Sequence, residues 1–347
     1  MNQDRQNPPA IDQAAIALAA RQLEQGALVA FPTETVYGLG GDAENPAAIA
    51  AIYAAKGRPA NHPVIVHVAP EADIAYWAAT VPVEARQLIA AFWPGPLTLI
   101  LKRAAHIPDA VAGGQDSVGL RCPAHPVAQA LLREFRGGKG GVAGPSANKF
   151  GHVSPTTAAH VREEFGQGAG SPLAYVLDGG QSEVGIESTI VDLSRIDTHG
   201  PVLLRPGQIS AAQIAAVLGV TPRLPDAGAP RASGTLDAHY APHTPVVQVA
   251  AADLDDVLRR LAGKGRRVAL IHRRPGHGDV LAQRPMPAEA NAYAHDLYAA
   301  LRDMDHTGAD LIVVEAPPTD TQWQGINDRL RRAAFDSQGI LARLLEH

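Results

Sequence analysis

Lys56 and Arg58 flank one glycine and open a loop that Pro59 and Pro63 stiffen. Two cations on a rigid loop suit a triphosphate, because lysine supplies a point charge and arginine supplies paired N–H donors. The plainer role for Lys56 is to close a helix, where a cation complements the dipole. Arg121 ends the apolar run Ser117–Arg121. A guanidinium in an apolar setting needs a carboxylate. Two sources fit: an internal Asp or Glu, or the carboxylate of an amino-acid substrate. The stretch Phe31 to Gly41 ends a strand in hydroxyls, a carboxylate and glycines. Glycine lets backbone N–H groups come close to a ligand, and Thr35 can bond a small polar substrate. The same stretch taken alone is equally a tight surface turn. Gly38, Gly40 and Ala43 match a relaxed dinucleotide fingerprint, but no ribose-binding acid is placed and the strand–glycine–helix spacing is wrong.

Further polar groups fall at the ends of apolar runs. His67 closes one such run, as a substrate contact or as a core histidine. Gly144 to Pro155 alternates small residues with hydroxyls and enters a helix near Thr156 to Phe165, so Ser154 or Thr156 is its expected cap. With Lys149 nearby, that helix start is also an anion site. It lacks the Walker pattern. Ser188 opens a strand and Arg205 closes one. His239, Tyr240 and His243 stand in a bland stretch, which suggests a segment that docks; Pro242 breaks the helix that a histidine metal pair would need. Together these residues describe a cleft for an anionic nucleotide and a small carboxylated substrate.

The elements that must position them follow from the whole chain. It has 347 residues, 46% hydrophobic and 19% charged, a globular composition of two-domain size. Its single cysteine, Cys122, excludes an intramolecular disulfide and a four-cysteine zinc site, and reads as a packed apolar group. A net charge of -5 argues against a protein that coats polyanions. No apolar run reaches the roughly 20 residues of a membrane span. Met1 to Pro9 is polar and carries Asp4, unlike a secretory signal, so a cytoplasmic protein is expected.

Helices are predicted over 11–25, 46–56, 83–92 and 126–135, and strands over 27–31, 64–68, 97–102, 117–121, 175–178 and 188–193. This mixture without a regular βαβ beat predicts an α/β domain with a twisted mixed sheet over 10–217. Strands over 246–250, 267–272 and 310–315 alternate with helices over 253–261, 288–304 and 325–334. That alternation predicts a smaller, Rossmann-like parallel α/β domain over 246–347. Residues 218–245, rich in Pro, Gly and Ala, form the linker between them. The chemistry is placed in the first half.

The segments PTETVYGLG, KGRP with IVHV, WPGPLT, GPSAN with SPT, GIESTIVD and LRPG resemble the YrdC-like threonylcarbamoyl-AMP synthase family. The HYAPHTP segment and the C-terminal domain resemble its long, two-domain form. The resemblance implies condensation of L-threonine, bicarbonate and ATP to L-threonylcarbamoyl-AMP and pyrophosphate. Partner proteins then transfer the threonylcarbamoyl group to tRNAs that read ANN codons. It implies threonine contacts at Thr35, His67, Arg121, Gly144 and Ser188, and ATP contacts at Arg58, Ser117, Ser146, Ser154, Arg205 and Tyr240. Lys56 would sit by the phosphates or bicarbonate, and Lys56 and Arg58 would carry the catalysis. The linker would dock over the nucleotide, with Tyr240 closing on it. The family usually has Asn just before the Pro of the KGRP loop; here His62 stands there, and its ATP contact would be one imidazole bond. Mg²⁺ is expected on the triphosphate, held by phosphate oxygens and water rather than by protein ligands. No organic cofactor is expected. The alternative from another class is a tRNA or double-stranded RNA-binding module without catalysis, against which the net acidity and the lack of an interleaved arginine–aromatic stretch both count.

Overall fold

The computed structural model describes residues 11–274 and 278–346. The polar stretch Met1 to Pro9 lies outside the described residues. The chain divides into two compact units. One comprises Met1–Lys149, Pro155–Glu183 and Glu187–Thr235, and the other Phe150–Ser154, Val184–Ile186 and Leu236–His347. The stretch that composition marks as a linker therefore changes unit between Thr235 and Leu236.

The first unit is built on a mixed sheet of nine described strands: β1 (Leu28–Phe31), β2 (Gly38–Asp42), β3 (Ile65–Val68), β4 (Leu97–Lys102), β5 (Ser117–Arg121), β6 (Gly141–Ala143), β7 (Leu173–Val176), β8 (Thr189–Asp192) and β9 (Val202–Arg205). Their order is β7-β1-β2-β6-β3-β5-β4-β8-β9. Two of these strands show no period-2 alternation and the sequence alone does not mark them: β2 has three glycines in five residues, and β6 is only three residues long. Gly38, Gly40 and Gly41 serve internal packing. A Cβ on Gly40 would lie 2.7 Å from the Val29 carbonyl, and one on Gly41 2.9 Å from Ile52. The stretch Phe31 to Gly41 is thus a buried hairpin and not a surface turn.

Helices flank this sheet. Asp12 caps Gln13–Glu24 through the Ala14 and Ala15 amides. Asn45 caps Pro46–Lys56, with Pro46 at its first turn. That helix stops at Gly57, whose φ of 64° reverses the chain and separates Lys56 from Arg58. The helix Ala158–Phe165 is capped by Thr157, whose side chain accepts from the His160 amide. Neither Ser154 nor Thr156 does so: Thr156 instead lies within bonding distance of His160 Nδ1.

The second unit holds four parallel strands: β10 (Val246–Val249), β11 (Val268–His272), β12 (Ala282–Pro285) and β13 (Leu311–Glu315), in the order β10-β13-β11-β12. The helix Leu254–Gly263 packs Leu254, Val257, Leu258 and Leu261 on this sheet. The alternation seen in the sequence is this sheet's own; only β12, with half its positions exposed, is invisible to it.

Candidate active site

The first sheet gathers the polar groups through its register. His67 on β3 is the parallel partner of Arg121 on β5. On the other side of β5, Leu99 faces Leu120 in antiparallel β4, so Thr98 stands level with Arg121. β8 runs parallel to β4, and Ser188 precedes its first residue. Ser188 Oγ lies 2.8 Å from Thr98 Oγ1. Arg205 on β9 is opposite Ile190 and folds back on Ser188, with Nε 3.0 Å from its carbonyl and Nη2 3.2 Å from Oγ.

The carboxylate that Arg121 requires is internal. Glu34 Oε1 lies 2.6 Å from Nη2, with the two side chains 5% and 6% exposed. Nη1 donates to Thr35 Oγ1 at 2.8 Å and Nε to the Gly95 carbonyl at 3.3 Å. Glu34 Oε2 accepts from the Ala124 amide at 3.0 Å. Three of the five guanidinium N–H groups are thereby engaged, and one on each terminal nitrogen is left for a second acceptor. Glu34 is the functional residue that sequence reasoning missed. The signal was present as the only acid in PTETVYG, but nothing local says that it meets a strand 87 positions later.

His67 is buried, its ring 5.5 Å from Phe31 and edge-on. Burial, then the Arg121 charge, lowers its pKa to about 3, so the imidazole is neutral. Its Nδ1 is buried without a hydrogen-bond partner. A Cβ on Gly144 would stand 2.9 Å from that nitrogen. Glycine there keeps the space before Nδ1 open.

Lys56 is wholly buried and donates to the Ser146 and Asn148 carbonyls, at 2.5 Å each. Burial, then Arg58, holds its ammonium well below the ordinary lysine range. Two of its three N–H groups are committed. Arg58 Nη2 donates to the Pro63 carbonyl at 2.7 Å, and both terminal nitrogens lie 3.5 Å from Ser233 Oγ. The Ser233 carbonyl accepts from Arg205 Nη1 at 2.7 Å. One residue of the supposed linker therefore joins the two arginines. Arg231 secures it by donating to the Asn61 and Gly113 carbonyls at 3.2 and 3.1 Å. Ser117 lines a pocket with Ile65, Ile100, Ile190, Arg231 and Ser233. His62 offers its carbonyl to Tyr53 at 2.6 Å, and its ring is pushed toward neutrality by burial, then by Arg58 and Arg231. Ser146 is bridged to Gly38 and is only partly buried.

Ser154 and Tyr240 belong to the second unit. Ser154 is fully buried. Tyr240 has a φ of 61° and lies 5.7 Å from the Tyr298 ring, with the Arg329 guanidinium 5.5 Å over its face. Cys122 is buried and its thiol pushed up to about 12 by burial, then by Glu34. No thiolate nucleophile operates there.

The Sua5–YciO–YrdC family model, described as telomere recombination, matches residues 21–207, and the model of the threonylcarbamoyl-AMP synthase C-terminal domain matches 209–335. The chain is 36% identical to the threonylcarbamoyl-AMP synthase of Pyrococcus abyssi, over 93% of its own length and 95% of that protein. The chain belongs to the threonylcarbamoyl-AMP synthase family. The Bacillus subtilis member is 39% identical over 92% of both chains. The solved structure of P. abyssi Sua5 complexed with L-threonine superposes with a TM-score of 0.84 at 35% identity, covering 94% of this chain and 95% of that one. Two adjoining family models account for the long, two-domain form, and the mixed α/β architecture is that of these structures. Membership makes the chain an enzyme of the transferase type.

Proposed function

We infer that the chain condenses L-threonine, bicarbonate and ATP to L-threonylcarbamoyl-AMP with release of pyrophosphate. One observation supports it above the others: the two guanidinium clusters belong to one polar array. Arg121 stands level with Thr98, Thr98 meets Ser188, Ser188 meets Arg205, and Ser233 joins Arg205 to Arg58. An amino acid held by its carboxylate at Arg121 and a triphosphate at Arg58 and Arg205 would both lie against this array.

The reaction asks for positioning and neutralisation of charge more than for a protein nucleophile. The neutral threonine amine bonds to the bicarbonate carbon as the bond to the bicarbonate hydroxyl breaks, and that hydroxyl leaves as water with a proton from the nitrogen; a carbamate oxygen then attacks the α-phosphorus while pyrophosphate leaves. In this reading Thr35, His67, Gly144 and Ser188 surround threonine with Arg121. Lys56, Arg58, Ser117, Ser146 and Arg205 face bicarbonate and nucleotide. Magnesium arrives on the nucleotide, ligated by phosphate oxygens and water. The ATP roles of His62, Ser154 and Tyr240 rest on the family resemblance alone. The product would pass to a protein system that modifies tRNA reading ANN codons, which places the enzyme in the cytoplasm. Among the described residues no helix is long and apolar enough to cross a membrane.

ATP–pyrophosphate exchange should require both threonine and bicarbonate, and labelled bicarbonate should appear in a product of the mass of threonylcarbamoyl-AMP. Exchange without threonine would remove this reading. Arg121→Ala should chiefly raise KM for threonine, and Arg58→Ala that for ATP; identical effects on both substrates would contradict the assignment.

A further inference from the structure

A polar cluster in the second unit has no part in the proposed condensation. β11 and β13 are parallel neighbours, and one residue past the paired Ile271 and Val314 they end in His272 and Glu315. The chain after β11 turns back on that carboxylate. Glu315 Oε2 accepts from the Arg273 amide at 2.7 Å and the Arg274 amide at 3.3 Å, and Oε1 from Arg274 Nε at 3.1 Å. Its charge is thus answered without the Arg273 guanidinium, whose Nη2 stays 3.8 Å from Oε1, beyond a hydrogen bond. That guanidinium instead lies 5.5 Å over the Trp323 ring. Tyr293 meets the same ring edge-on at 5.3 Å and is 1% exposed. Among the described residues, neither the buried Arg273 Nε nor Tyr293 Oη has a hydrogen-bond partner. Burial raises the Tyr293 pKa, and Arg273 and Glu315 are near enough to act on it in opposite senses, so the phenol keeps its hydrogen. Tyr293 stands near the start of the helix Ala290–Asp305, whose amides no side chain caps. That helix joins β12 to β13, so it runs back against the parallel strands and begins over their carboxyl ends.

A buried donor without an acceptor is costly, and here two of them flank one indole. We infer that the carboxyl ends of β11 and β13, with Arg273, Tyr293 and Trp323, bind a small oxyanion, the carboxylate or phosphoryl group of a metabolite. Arg273 Nε and the adjoining Nη present two parallel N–H bonds, spaced for two oxygens of one anion. The Tyr293 hydroxyl donates a third bond, and the Trp323 ring supports the guanidinium. The charges agree, since Arg273 and Arg274 against Glu315 leave one positive charge for the ligand. Open parallel sheets take ligands at this end, where helix starts point their amides. No group of the first unit takes part.

The probes are sodium acetate and inorganic phosphate, titrated into the full chain at constant ionic strength and followed by tryptophan emission, to which Trp323 contributes. A saturable change is expected with at least one of them, and the tighter of the two names the source. Arg58→Ala should keep that response, which separates it from the nucleotide site. Tyr293→Phe should weaken the anion about tenfold or more, the scale of one bond to a charged group. In buffer free of both probes it should melt no lower than the parent, because it deletes a hydroxyl that has no partner. Arg273→Lys keeps the charge but loses the fork, and should weaken the anion by a similar factor. No saturable change, a response lost in Arg58→Ala, or affinities unchanged in Tyr293→Phe and Arg273→Lys would overturn the assignment. So would a lower Tm for Tyr293→Phe without the probes, which would mean that the hydroxyl is already satisfied.

Discussion

At the residue scale, the site is defined by groups whose burial has been matched to a partner or kept for a ligand. His67 shows the consequence for stability. Its pKa falls from 6.5 to about 3 in the folded chain. Below pH 6.5 the unfolded chain takes up a proton that the folded chain refuses, so the stability His67 confers is full above that pH and lost as pH falls toward 3. The slope is at most about 1.4 kcal/mol per pH unit. His67→Gln should flatten this limb of a urea-midpoint profile, and an unchanged limb would assign the acid sensitivity to other groups. Glu34 and Arg121 make the second case. Glu34→Ala strands a buried guanidinium and should cost about 3–5 kcal/mol. The Glu34→Ala, Arg121→Ala double variant should lose less than the sum of the singles. Simple additivity in denaturant melts would mean the pair is not coupled.

At the element scale, the β1–β2 hairpin delivers Thr33, Glu34 and Thr35 to the ends of β3 and β5. At Gly40 its second strand lies so close to the first that a side chain is excluded. Gly40→Ala places a methyl group 2.7 Å from the Val29 carbonyl, where backbone must yield. The expected loss is about 1–3 kcal/mol, with a fall in Tm, although the substitution touches no proposed substrate contact. A Tm equal to that of the parent would show that the hairpin has slack. The loop after β7 is tied to the same hairpin: Tyr37 donates to the Gly180 carbonyl at 2.8 Å and accepts from the Gly179 amide at 3.1 Å. That loop leads to Ser188.

At the scale of the whole molecule, the chain changes unit inside the compositional linker, between Thr235 and Leu236. Residues 231–235 belong to the first unit and bind Arg58 and Arg205 through Ser233. Two truncations separate what this segment does from what the second unit does. A chain ending after Thr235 keeps Ser233; a chain ending after Gly207 loses it. We expect the shorter chain to bind ATP several-fold more weakly than the longer one, since two guanidinium groups lose a partner that orders them. Equal ATP affinity of the two would detach the segment from the nucleotide site. Full turnover by the shorter chain would also defeat the proposal that residues 218–245 dock over the nucleotide.

Much of this was legible in the chain itself. Helix 46–56 announces both its ends through Asn45, Pro46 and Gly57, because caps are local chemistry. The parallel sheet of the second unit shows in its strand–helix alternation, because burial on both faces demands continuous apolar runs. Arg121 could be seen to need a carboxylate, since burial of a lone charge is prohibitive wherever it occurs. Which carboxylate it took, that His67 lies beside it and that Ser233 bridges two arginines were all decided by the tertiary structure. Each of those facts depends on strand register or on contacts between residues tens to well over a hundred positions apart. A residue's type fixes what bonds it must make; only the folded arrangement decides which groups are near enough to make them.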